Sequence, residues 1–188
     1  MHLNRASAED PVPEEYTRVT NPERLLPLID LAVALMANLK VAYEVEESST
    51  FKRLAPLRSP LAYARPPITL TPVSSKEAPI AIAFSSFPGL FVRFGEFIEE
   101  DFPVCGCDGC APTFEREADR LQELIRSVVA GRFSEEIEIP PLGSAHLTWS
   151  FEGPNGSNTG RMMLSRDEAR KLSSRSKRIE WQPWTIRT

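Results

Sequence analysis

The sequence predicts one α+β domain: a mostly antiparallel sheet, packed by a long N-terminal helix and by a second helix that follows a cysteine loop. Three observations carry this. An apolar run with helical spacing fills residues 25–43. Short alternating runs separated by turn residues occupy residues 68–94 and 136–164. The 188 residues match the size of one domain, about 100–200 residues.

The elements follow in order. Residues 1–20 are polar, with Pro11, Pro13 and the Glu14-Glu15 pair, and read as a flexible arm before a domain spanning 21–188. Asn21-Pro22-Glu23-Arg24 is a helix start, with an Asx cap, Pro at the first helical position and an acid in the first turn. Leu25, Leu28, Ile29, Ala32, Leu35, Met36, Leu39 and Tyr43 then form one buried face. Leu26, Leu31 and Val33 lie off that face, so cover on more than one side is expected. Asp30, Asn38 and Lys40 interrupt the run, which argues for a core helix over a membrane span.

Residues 46–66 are rich in Ser, Arg and Pro and read as a long surface connection. Ile68–Thr71, Ile80–Phe84 and Leu90–Phe94 predict a meander, its last turn made by Ser85-Ser86-Phe87-Pro88-Gly89. Residues 95–109 read as an acidic connection that runs into the cysteine loop. The second helix is expected over Thr113–Ala130, with Phe114, Ala118, Leu121, Ile125 and Val128 inward and Gly131 as its stop. Glu136–Ile139 and Leu147–Phe151 alternate, and Pro154-Asn155-Gly156-Ser157 turns the chain into a partner strand at Gly160–Leu164. Ser165-Arg166-Asp167-Glu168 is a capping box for a short third helix. A last strand fits Arg178–Ile186, although Trp181 and Trp184 are three apart rather than two.

Composition narrows the function classes. Lys plus Arg is 22 and Asp plus Glu is 26, a net charge of −4, which excludes a uniformly basic nucleic-acid coat. The N-terminus has no apolar signal region, and three cysteines are an odd number for a secreted disulfide framework. A reducing cytoplasm and no membrane contact are expected. No Gly-x-Ser-x-Gly turn and no phosphate-binding glycine loop is present, which disfavours triad hydrolases and classical nucleotide enzymes.

The chemistry concentrates in Cys105-Gly106-Cys107-Asp108-Gly109-Cys110. Thiolates bind soft and borderline metals, and the glycines let a short backbone close around an ion. The expected metal set is Cys105, Cys107, Cys110 and Asp108, with zinc as the ion. His146, Glu99, Asp101 or water are further candidates for a fourth ligand. A redox reading uses Cys107 and Cys110, with the following helix lowering the pKa of Cys110. The plainest reading is three thiols packed in a tight turn.

Residues 95–123 hold nine acids against two arginines, and residues 161–188 hold eight basic side chains against three acids. Arg175, Lys177 and Arg178 lie close to Trp181 and Trp184, a pattern that can hold a phosphate backbone and stack bases. A solvated face with two core tryptophans is the more frequent outcome, so nucleic acid is disfavoured. The two charge poles also suit a protein partner or self-association.

The run Phe102-Pro103-Val104-Cys105-Gly106-Cys107-Asp108-Gly109-Cys110, preceded by Leu90-Phe91-Val92-Arg93-Phe94-Gly95, resembles the F-P-x-C-G-C-D-x-C hallmark of an uncharacterised bacterial family. That family is a domain of unknown function of about this length, and the order of segments agrees over most of residues 20–188. The resemblance implies that Cys105, Cys107, Asp108 and Cys110 form the signature, and it assigns no catalytic role.

Overall fold

The computed structural model describes residues 13–52, 54, 63–85, 87–154 and 156–188. Expectations for residues 1–12, and for most of the 53–62 stretch, lie outside the described residues.

The first helix starts differently from its sequence signal. Asn21 sits at φ +54° and makes no side-chain cap; a tight 3-10 turn over Pro22–Leu25 leads into α1, Pro27–Ala42. Pro27 falls in the first helical turn, where a missing N–H leaves no bond unmade. Leu28, Ala32 and Met36 are buried on a narrow stripe, while Leu26 and Val41 remain exposed. By length and composition alone, Pro22–Ala42 is apolar enough to cross a membrane.

Two antiparallel sheets replace the single sheet that the strand pattern predicts. The first runs β1-β2-β3-β4-β5: Val45–Ser48, Tyr63–Pro72, Ile80–Ser85, Leu90–Phe94 and Ile98–Phe102. The expected meander is its centre, with Ile82 opposite both Ile68 and Val92. The expected 46–66 connection is flanked by strand at both ends, because β1 starts at Val45 and β2 already at Tyr63. Strand β1 escapes detection since Val45 is its one buried residue. Pro66 and Pro67 fit into β2 at a register shift between Arg65 and Ile68, where ladder bonds are already broken.

The acidic connection also contains a strand. Ile98 and Phe102 of β5 are buried, and Glu100 between them faces Arg120 of α2 at 3.2 Å. Helix α2 spans Phe114–Val129 on the predicted stripe, with Leu124 added, and the Thr113 hydroxyl caps it by accepting from the Arg116 N–H. The Arg120 guanidinium lies 3.8 Å from the centre of the Phe102 ring and donates to the Asp101 carbonyl. Arg120 thereby ties helix α2 to the acidic edge of the first sheet.

The second sheet has the order β8-β7-β6-β9: Gly156–Leu164, Ala145–Gly153, Phe133–Glu138 and Lys177–Glu180. The helix α3, Arg166–Leu172, carries both bonds of the predicted capping box. Phe133 and Phe151 stack at 4.5 Å, and Phe94 of the first sheet meets Phe151 edge-on at 5.2 Å. The two sheets and the two long helices share this one apolar core.

The Glu135 carboxylate, on β6, joins the sheets. It accepts the backbone N–H of Glu96 (2.7 Å) and of Phe97 (2.8 Å), both in the β4–β5 turn. It also accepts the Trp181 indole N–H at 3.0 Å. Gly95 in that turn has φ +61° and no room for a Cβ beside Glu135, so glycine is required twice over. After β9 the chain leaves its sheet and straps back to the first one. The Trp184 indole donates to the Ala78 carbonyl (2.9 Å), and Glu77 accepts from the Thr185 N–H (3.1 Å) and hydroxyl (2.7 Å). This departure explains the three-residue tryptophan spacing: the predicted strand ends at Glu180.

Burial raises the Glu135 pKa from 4.5 to about 7, against the lowering effect of its three N–H donors. The folded state therefore binds a proton that the unfolded state has released, and stability falls as pH rises from 4.5 to about 7. This contribution is on the order of 3 kcal/mol. Urea unfolding of Glu135→Gln across that window should show a flatter pH dependence than the wild type, on a lower absolute stability because an amide cannot accept all three bonds. An unchanged slope would mean that Glu135 titrates alike in both states.

Candidate metal centre

The cysteine loop is held from both ends. Strand β5 delivers Phe102, and the loop begins at the cis Phe102–Pro103 peptide. Thr113 caps α2 on the far side. Between them the sulfurs of Cys105, Cys107 and Cys110 all lie within 4.8 Å of one another. The Cys105 and Cys107 sulfurs are 3.1 Å apart. Cys107 is 5 % exposed, whereas Cys105 and Cys110 open to solvent.

The loop glycines serve close packing. A Cβ on Gly106 would collide with the Phe87 ring, and a Cβ on Gly109 would come within 2.7 Å of the Tyr16 ring. The positive φ of the region falls on Ala111 (+43°), whose N–H donates to the Cys107 carbonyl at 3.1 Å.

Tyr16 belongs to the segment expected as a flexible arm. The part of it that is described, residues 13–20, lies against the loop. A 3-10 turn at Glu14–Tyr16 is followed by an exposed stretch that reaches Asp108. The Asp108 carboxylate accepts from the Thr20 N–H (2.8 Å), the Thr20 hydroxyl (2.9 Å) and Arg18 Nε (2.9 Å). The backbone N–H of Asp108 donates to the Arg18 carbonyl and that of Gly109 to the Glu15 carbonyl, at 2.9 and 2.8 Å. Asp108 thus fastens the N-terminal segment, and the converging donor set is the three sulfurs without it. The bonds to Thr20 and Arg18 hold its carboxyl below the usual carboxylate range.

The thiols are ordered opposite to the expectation. The Cys107 pKa is lowered, first by the Cys105 thiol and then by the backbone N–H of Cys110. The Cys110 pKa is raised to about 11, first by its hydrogen bonds to the Cys107 and Cys105 sulfurs, which favour the protonated thiol, and then by burial. Proximity to two sulfurs outweighs a helix end that begins three residues later.

The other predicted candidates lie apart from this centre. Glu99 and Asp101 sit on β5 and His146 on β7; none joins a metal-type cluster with the cysteines among the described residues. Trp181 and Trp184 are 7 % and 4 % exposed, with both indole N–H groups bonded inside, so neither ring offers a stacking platform. Lys177 pairs with Glu96 at 2.6 Å, and Arg178 with Glu180 (3.0 Å) and Glu136 (3.5 Å). Arg175 is exposed. Sequence reasoning missed Arg18, Thr20, Tyr16 and Phe87, which brace the loop. They lie far from it along the chain, and no local pattern marks them.

The Phe102–Cys110 run lies whole within the match to one family profile, which covers residues 2–188. The chain belongs to the family of unknown function DUF6226. The match includes the N-terminal segment and the C-terminal strap as well as the cysteine loop. No curated protein and no solved structure matches the chain.

Two tests follow from the bracing. Gly109→Ala should displace Tyr16 and speed amide exchange in residues 14–18, with α2 protection unchanged; equal exchange would show that the ring is not seated there. Docking of residues 14–20 should weaken in acid, because a lowered carboxyl pKa contributes stability above the ordinary carboxylate range that is lost as pH falls through the lowered value. The same exchange measurement, stepped down in pH, reads this.

Proposed function

We propose that this domain is a metal-binding protein of the reducing cytoplasm, with Cys105, Cys107 and Cys110 holding one zinc ion as thiolates. The observation that carries this is the convergence of three sulfurs within 4.8 Å from one six-residue loop. Three thiolates at 2.3 Å around a tetrahedral ion stand about 3.8 Å apart. The 3.1 Å Cys105–Cys107 separation and the 4.8 Å limit of the set bracket that value, so a small adjustment is enough, with Cys105 and Cys107 moving slightly apart. Cys105 and Cys110 are exposed, and three thiolates leave a fourth position for a further ligand.

A metal would tie the outer edge of the first sheet to the start of α2, through the loop that connects them. Asp108 supports the loop by fastening it to Arg18 and Thr20. A second reading, thiol redox, draws on the 3.1 Å contact between Cys105 and Cys107, a different pair from the Cys107 and Cys110 of the sequence expectation.

Elemental analysis of protein purified without a histidine tag or chelator, with a thiol count, decides between them. About one zinc per chain is expected, with thiols masked until a chelator is added. Cys107→Ser should lose the metal and lower the melting temperature. Three free thiols and no zinc uptake from added zinc would overturn the metal reading; no metal and one free thiol would favour the redox reading.

A further inference from the structure

We propose that the segment Glu14–Thr20 is a latch that regulates the metal site: its docking raises the zinc affinity of the cysteine loop, and zinc in turn holds the latch closed. The proposal rests on the metal reading above and adds to it a regulatory partner within the chain.

The geometry is specific. Asp108 and Gly109 are the two residues between Cys107 and Cys110. Every bond between the segment and the loop described above falls on this pair: two backbone donors, the three-fold engaged Asp108 carboxylate and the Tyr16 ring on Gly109. Holding both residues sets the separation of the flanking sulfurs. Metal binding selects the same separation, because its ligands must converge on one point. Two events that favour one loop conformation are coupled, and each strengthens the other by the same factor.

The latch is built to open. Its side of the contact is exposed, with Arg18 about half accessible and Tyr16 48 % exposed. No part of the 3-10 turn is buried, so its attachment consists of polar bonds and one ring contact. Glu14 shares Arg18 with Asp108, at 3.3 Å against 2.9 Å, which leaves the arginine a second partner when it swings away. Arg24 braces the hinge, donating to the carbonyls of Thr20, Asn21 and Pro112. The segment can therefore leave without disturbing α1.

The test uses the full chain and zinc as the probe. Zinc affinity is measured by competition with a chromophoric chelator, and docking by amide exchange in residues 14–20, with and without zinc. The informative variant is Arg18→Ala with Thr20→Ala, which changes no residue of the loop. It removes both side-chain bonds to Asp108, and should loosen the segment, read as faster exchange, and weaken zinc binding about tenfold, within the usual range of a coupling between two sites. Zinc should slow exchange of the wild-type segment by the same factor. Asp108→Asn should reproduce both effects from the loop side, with circular dichroism confirming the fold. Wild-type zinc affinity in the double variant, with its segment loosened, would overturn the latch and leave the metal site standing. No zinc binding by the wild-type chain would overturn the metal reading, and the latch with it.

Discussion

One buried carboxylate sets the relation between the two halves of this molecule. Glu135 projects from the second sheet into the β4–β5 turn of the first, and its oxygens accept two backbone donors there. Those N–H groups have no strand partner in a turn, so an acceptor must come from elsewhere. The third donor, the Trp181 indole, fastens the point where the chain leaves β9. A carboxylate is costly to bury, and the three N–H donors offset that cost only in part, which leaves the Glu135 pKa at about 7. The joint is therefore a specificity device: small shifts between the sheets would leave four polar groups unpaired.

The rest of the architecture depends on that alignment. The strap from Trp181 to Arg187 passes from one sheet to the other, touching the Lys76 and Ala78 carbonyls and then the end of α1. Gly131, at φ +66°, lets α2 turn into β6 with the strap packed against it. The aromatic stack of Phe94, Phe133 and Phe151 fills the space that the joint defines. Helix α2 then reaches the β5 edge, where Arg120 neutralises Glu100 and lies over Phe102.

The cysteine loop occupies the gap between that edge and the start of α2. Its two ends are rigid because they belong to elements anchored in the core. Its middle depends on side chains from a remote segment, Tyr16, Arg18 and Thr20. Convergence of three thiolates is unfavourable until an ion neutralises them, and without one the sulfurs hydrogen-bond to each other, which pushes the Cys110 thiol up. Loop geometry and charge thus act in opposite directions at this centre.

The sequence by itself determined the elements whose signal is local. Helix α2, the meander, the β7–β8 hairpin and the α3 capping box are legible because spacing, caps and turn residues act over a few positions. The six-residue cysteine motif is legible for the same reason, since its ligands are neighbours in the chain. Only the tertiary structure decided what depends on remote partners. Strands β1 and β5 carry edge residues whose polarity hides them, and they are strands because β2 and β4 offer ladders. Glu135 falls just before the alternating run read at Glu136–Ile139 and carries no mark of its own, and Asp108 reads as one more metal ligand. Their roles come from Glu96, Phe97 and Trp181 in one case, and from Arg18 and Thr20 in the other. A carboxylate takes its function from the donors that surround it, and the fold alone brings those donors together.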